Sequence, residues 1–333
     1  MTRGTDERPT AGITTVAGIE LGHHTLTERP TGCTVILAPA GAVGGVDVRG
    51  SAPGTRETAL LDPVNSVAVV HAVVLSGGSA FGLDAASGVM RYLDEHDVGY
   101  RVGDKVVPIV VGAILYDLDL EGVDRIRPGP ESGYAAARTA ARGDVAEGSV
   151  GAGAGATVGK LRGTARAMKG GFGTASVTLD GGVTVAAAVV VNASGDIVDP
   201  ATGRVVAGVR TEDATGLADA RLLLRERSVT SGRASGTNTT IGVVATNATL
   251  TKAQATKVAQ MGQDGVARAV YPAHTMYDGD VIFTLATGHL PDTPDVTRIG
   301  ALAADVVAEA ILRAVHSAEP LPGLPSARDL ARR

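Results

Sequence analysis

Through the first two thirds of the chain, short apolar runs alternate with turn-forming residues, and strands outnumber helices. Residues 13–20 and 32–38 predict strands, and Val67 to Leu75 is an apolar run feeding the turn Ser76-Gly77-Gly78. From Ser79 the period lengthens: Leu83, Ala86, Met90 and Leu93 recur at helical spacing, with Asp84 in the first turn. Val106 to Leu115 predicts a buried strand that starts properly only after Pro108. Thr174 to Leu179 and Val183 to Val191 flank Asp180-Gly181-Gly182, a hairpin signal. Residues 1–11 read as a mobile tail, and Thr211 to Thr237 as a linker with one short helix near Leu217 to Arg225.

The final third is more regular. Ile241 to Thr246 and Val281 to Thr287 predict strands, and Thr251 with Gln254 predicts a capping box on a helix running to about Val270. A last amphipathic helix carries Ile299, Leu302, Ala303, Val306, Val307, Ala310, Ile311 and Ala314 on one stripe, opposite Asp305, Glu309 and Arg313. Strand runs with covering helices predict a layered α/β architecture.

Composition narrows the material of the core. Of 333 residues 44% are hydrophobic, but only 3% are aromatic, Trp is absent and Gly numbers 45, so Ala, Val, Leu and Ile must fill closely approaching layers. A net charge of −5 with so few aromatics offers neither the basic footprint nor the stacking surface of a nucleic-acid binder. No apolar stretch reaches the length of a bilayer span, and the opening MTRGTDERPT lacks the apolar centre of a secretory signal. A single cysteine, Cys33, excludes an internal disulfide and reads as a buried strand thiol. The expected compartment is the cytoplasm.

The candidate chemistry lies in separated places. Asn238-Thr239-Thr240 joins the polar stretch Ser228 to Thr237 to the apolar run Ile241 to Ala245. A Thr there either opens a strand or attacks the preceding carbonyl, and a Thr freed at its amine carries nucleophile and base together, since that amine has a pKa of roughly 7.7–8. Asp278-Gly279-Asp280 places two carboxylates on one face of an extended backbone, as an active pair or as a solvated turn. Asn192 ends an apolar strand, where a carboxamide serves either as a turn former or as an oxyanion donor. Lys160 closes a glycine-rich run that lacks the Gly and Ser/Thr positions of a phosphate loop, and its dinucleotide fingerprint is loose. Ser79 lacks the frame of a nucleophile elbow and reads as a helix N-cap or pocket wall. The histidines show no metal-ligand spacing, and His274 reads as a structural hydrogen-bonder near the Asp pair. Neither a cofactor nor a metal is expected.

Four segments, Val150 to Gly163, Leu75 to Val89, Asn238 to Gln254 and Pro272 to Gly288, together resemble the DmpA-like self-processing aminopeptidases. That family includes L-aminopeptidase/D-alanyl esterase-amidases, β-peptidyl aminopeptidases and nylon-oligomer hydrolases. The resemblance runs from about Gly18 to about Val315 and implies a four-layer α/β/β/α sandwich of the DmpA and ornithine acetyltransferase type. It implies one domain cut before Thr239 into fragments 1–238 and 239–333, no cofactor, an amide or peptide substrate, and a homotetramer of such αβ units. It makes Thr239 the nucleophile, Asp278 and Asp280 its orienting carboxylates, Lys160 an active-site cation, and Asn192 and Tyr116 oxyanion donors. Thr239 with two aspartates follows the nylon-oligomer hydrolases, whereas DmpA and the β-aminopeptidases pair Ser with a Ser/Glu combination. Two alternatives from other classes are an acyltransferase of the ornithine acetyltransferase type, whose lead-in before the Thr is missing here, and a non-catalytic oligomeric binding protein.

Overall fold

The computed structural model describes residues 12–120, 125–226, 237–291 and 295–331. The expected tail at 1–11 and residues 227–236 of the expected linker lie outside them. Nine strands join in one mixed sheet: β1 (Glu20–Thr25), β2 (Gly32–Val48), β3 (Thr55–Arg56), β4 (Val69–Ser76), β5 (Val110–Ile114), β6 (Gly171–Thr178), β7 (Thr184–Asn192), β8 (Thr239–Ala248) and β9 (Val281–Leu290). Their order is β6-β7-β8-β9-β2-β4-β5-β3, with β1 paired to β2 beside that path. The predicted hairpin is present, β6 lying antiparallel to β7.

The sheet is continuous, yet it forms two layers. In β2, Cys33–Leu37 pairs with β4, and after a register shift between Leu37 and Ala42, residues from Val43 to Val48 pair with β9. Pro39 and Gly41, the latter at φ +82°, lie inside that break, where Pro offers no ladder N–H and Gly accepts the left-handed backbone. One long strand thus passes the sheet from one layer to the next.

Three buried clusters fill the three gaps between four layers. Along β7, Ala187, Val189 and Val191 face α3 (Lys252–Ala269) and α4 (Val296–His316), while Ala186, Ala188 and Val190 point inward. The inward set meets Ile36, Val73, Leu75 and Val111 of the other sheet half. On the far side Val35, Leu37, Val74 and Val110 pack against α1 (Ala85–Glu95) and α2 (Pro130–Arg138). This is the expected α/β/β/α sandwich. The Thr251–Gln254 capping box opens α3 as predicted, and α4 buries the predicted stripe apart from half-buried Leu302.

Two local expectations fail. Residues 13–19 are no strand, which begins only at Glu20: Gly12–Thr15 forms a 3-10 turn whose Ile13 N–H donates to Thr174 Oγ1, and Ile13, Val16 and Ile19 plug the gap between the sheet halves. Their apolar pattern reports burial at a sheet end. Ser79 is no N-cap, since Gly78 takes that position and Ser79 begins a 3-10 helix, Ser79–Asp84, ahead of α1. The run from Val106 starts its buried strand only after Pro108, as expected, at Val110–Ile114, and Lys105–Val107 ahead of it pairs with Tyr100–Val102 as a separate hairpin.

Candidate active site

Strand β8 lies between β7, antiparallel, and β9, parallel, and its first residue is Thr239. The register sets Asn192 opposite Thr239 on one side. On the other, the β8–β9 pairing of Ile241 with Val281 continues back to a bridge between Asn238 and Asp278. Three segments distant in sequence therefore meet at one peptide bond. Asn238, Thr239 and Thr240 are all buried.

The Asn238 carbonyl oxygen receives two donors, Thr239 Oγ1 at 2.5 Å and the Gly279 N–H at 2.9 Å. The hydroxyl thus rests against the carbonyl of the residue before it. The rival hydroxyl, Thr240 Oγ1, is buried with no hydrogen-bond partner among the described residues, while the Thr240 N–H donates to Asp280 Oδ1 at 2.6 Å. Asp280 Oδ2 also accepts from the His274 N–H at 3.1 Å and lies 2.8 Å from His274 Nδ1. Asp278 Oδ2 accepts from the Thr275 N–H at 2.8 Å. Both carboxylates are buried, and burial, then the like charge of Asp280, raises the Asp278 pKa, which the Lys160 ammonium opposes.

The other side of Thr239 is cationic and amide-rich. Buried Lys160 donates from Nζ to Asn192 Oδ1 at 2.9 Å, to the Asn192 carbonyl at 3.0 Å and to the Thr237 carbonyl at 3.2 Å. Asn192 Oδ1 also accepts from the Thr157 N–H at 3.0 Å, so its oxygen is occupied and its Nδ2 is turned outward as a donor. That nitrogen donates to the Tyr116 carbonyl at 2.9 Å. Tyr116 therefore touches Asn192 through its backbone, while its hydroxyl donates to Asp119 Oδ1 at 2.7 Å. Burial and Asp119 push the phenol up to about 12, so it remains a donor at neutral pH. A cavity of about 380 Å³ opens here, with Asp119 and Thr157 on its wall among the apolar Leu120, Ala165, Leu321 and Leu324.

Sequence reasoning brought Thr239, Asp278, Asp280, Lys160 and Asn192 to this place, and Tyr116 to its edge. It missed three supports. Thr157 aligns Asn192. Lys169, fully buried, donates to the carbonyls of Gly153, Ala154 and Ala156 and so holds the glycine-rich turn that carries Thr157, yet a buried Lys is indistinguishable from a surface one in sequence. Asp117, buried beside Tyr116, accepts from Thr31 Oγ1 at 2.6 Å and the Gly78 N–H at 2.9 Å and pairs with buried Arg29. Its position next to a singled-out residue was the one available signal. Among the described residues no group of His, Cys, Asp and Glu could hold a metal, and no helix is long and apolar enough to cross a membrane.

The layered fold is a variant of the N-terminal-nucleophile (Ntn) hydrolase fold. Solved structures share it: the L-aminopeptidase D-Ala-esterase/amidase of Ochrobactrum anthropi superposes with a TM-score of 0.72 at 21% identity, covering 97% of this chain and 92% of that one. A Burkholderia β-aminopeptidase superposes with a TM-score of 0.70 at 23% identity, covering 98% and 95%. The model of peptidase family S58 matches residues 11–328, and the chain belongs to that family. It is a hydrolase of peptide or amide bonds. An uncharacterized aminopeptidase of Mycobacterium tuberculosis is 45% identical across 96% of this chain and 97% of its own length. A 6-aminohexanoate-oligomer endohydrolase of Kocuria is 32% identical across 89% of this chain and 84% of its own.

Proposed function

We propose that the chain cuts itself before Thr239 into fragments 1–238 and 239–333 and then hydrolyses linear amides that carry a free amine. The observation that carries this reading is the contact of Thr239 Oγ1 with the Asn238 carbonyl, set between a buried carboxylate pair and a buried Lys–Asn pair. Once freed, the Thr239 amine takes the hydroxyl proton, and Lys160 lowers its pKa by like-charge repulsion. Asp278 and Asp280 orient the amine and hydroxyl. Thr239 attacks the substrate carbonyl, Asn192 Nδ2 donates to the oxyanion, and water releases the acid from the acyl-enzyme. Tyr116 becomes a second donor when its hydroxyl turns from Asp119. The apolar cavity with one carboxylate on its wall suits a short aliphatic chain bearing an ammonium group.

The working unit in this reading is a homotetramer of αβ units in the cytoplasm, consistent with a lone buried Cys33 whose thiol burial pushes up to about 12. Light scattering that returns only the 33.4 kDa protomer would overturn the assembly. The substrate test runs aminoacyl p-nitroanilides beside a 6-aminohexanoate trimer and follows the released amine. Turnover of the trimer with little on the anilides assigns the nylon-type specificity; turnover of small L-aminoacyl anilides assigns an aminopeptidase. Inactivity of fully cut protein on every member contradicts hydrolysis and favours acyl transfer.

A further inference from the structure

Self-cleavage and turnover ask for negative charge to be stabilised on two different oxygens, and the two do not meet the same donor. In the uncut chain the oxygen that becomes anionic belongs to Asn238. Asn192 has its Nδ2 on the Tyr116 carbonyl and its Oδ1 on Lys160 and Thr157, whereas the group on the Asn238 oxygen is the Gly279 N–H at 2.9 Å. We propose that the Gly279 backbone N–H is the oxyanion donor of self-cleavage, a catalytic group separate from Asn192. The inference rests on the self-cleaving reading above.

The sheet itself builds this donor. The β8–β9 pairing sets Ile241 against Val281, and three residues back it sets Asn238 against Asp278, so the hydrogen bond from Gly279 to Asn238 continues the parallel ladder through the scissile bond. The ladder fixes the donor from behind as well. The Ala52 N–H donates to the Asp278 carbonyl at 2.9 Å, and the Arg49 and Gly50 N–H groups donate to the Asp280 carbonyl at 3.0 and 3.2 Å. Residues 278–280 are therefore clamped between residues 49–52 and 238–240. The clamp also explains the glycine: a Cβ at 279 would stand 2.7 Å from the Ala52 carbonyl oxygen and 3.2 Å from Thr239 Oγ1.

In the step itself, Thr239 Oγ bonds to the Asn238 carbonyl carbon as its proton leaves, and the electron pair moves onto the carbonyl oxygen under the Gly279 N–H. The tetrahedral intermediate collapses with rupture of the Asn238–Thr239 C–N bond, and the nitrogen takes the proton to become the free amine. Water then opens the ester. A ladder hydrogen bond already in place needs no reorganisation as charge develops, which is the condition under which an oxyanion donor contributes most.

The test exchanges one atom. Glycolic acid in place of Gly279, introduced by nonsense suppression in the full chain, replaces N–H by O and adds no bulk. Self-cleavage, followed by intact mass, is expected to slow by about 10²-fold, the effect of losing one oxyanion donor. Amide turnover per cut protomer is expected to fall less. The same amide-to-ester exchange at Leu285, further along β9, controls for a lost strand N–H and is expected to leave the cutting rate within a few-fold of the unsubstituted chain. Equal slowing at 279 and 285, or no slowing at 279, overturns the inference. If the unsubstituted chain itself stays whole, the self-cleaving reading has failed instead.

Discussion

The two strands that flank Thr239 hold it by opposite means. On the β9 side the groups are acidic, contiguous in sequence and fixed by backbone: Asp280 takes N–H groups from Thr240 and His274, and Asp278 takes one from Thr275. On the β7 side Lys160 and Asn192 are fixed largely by each other and by Thr157, from segments about thirty residues apart. The lesson is a division of labour. The acidic side is part of the sheet's own ladder, whereas the amide side is assembled from side-chain contacts and reaches the cavity wall through Thr157.

The largest effect expected falls on both sides at once. Thr239→Ala should leave one uncut chain and reduce amide hydrolysis by ~10⁴-fold or more, as loss of a nucleophile does; gel and anilide assays read it directly, and cutting at 239–240 instead would move the nucleophile to Thr240.

Next come the carboxylates. Asp278→Asn and Asp280→Asn should each slow self-cleavage and turnover by at least ~100-fold, the lower end for acid–base work. Near-normal rates in both variants would reduce the motif to a turn.

Asn192→Ala separates the sides. Turnover by the cut fraction should fall by about 10²-fold while self-cleavage falls much less, because Asn192 does not touch the Asn238 oxygen. Equal losses in the two rates, measured on one preparation, would mean that the sides share one oxyanion donor.

The smallest effect crosses between them. Asp278 is pushed upward by burial and by Asp280, and Lys160 opposes that shift. Where Asp278 must be ionised, self-cleavage is lost as pH falls through this raised pKa. Asp280→Asn removes the like charge, so the acid limb of the residual rate should move to lower pH; Lys160→Met removes the cation, so it should move to higher pH. Shifts in the same direction would contradict the electrostatic arrangement.

How far the chain alone revealed this follows the same division. Asp278-Gly279-Asp280 and Asn238-Thr239-Thr240 are contiguous, so both stood out as strings, and the layered fold was legible from strand-length apolar runs and the stripe on α4. The role of Gly279 was not, since a ladder hydrogen bond depends on register and register is set by pairing between distant strands. Lys169 and Asp117 escaped because burial of a charge leaves no mark on its neighbours in sequence. The 13–20 segment misled for a related reason: an apolar residue plugging the end of a sandwich looks the same as one in a strand.

One measurement bears on all of this, the intact mass of the purified, unsubstituted protein after incubation at neutral pH. The account predicts two polypeptides, of 238 residues and of 333 − 238 = 95 residues, the smaller beginning at Thr239. A single 33.4 kDa chain that persists would contradict it.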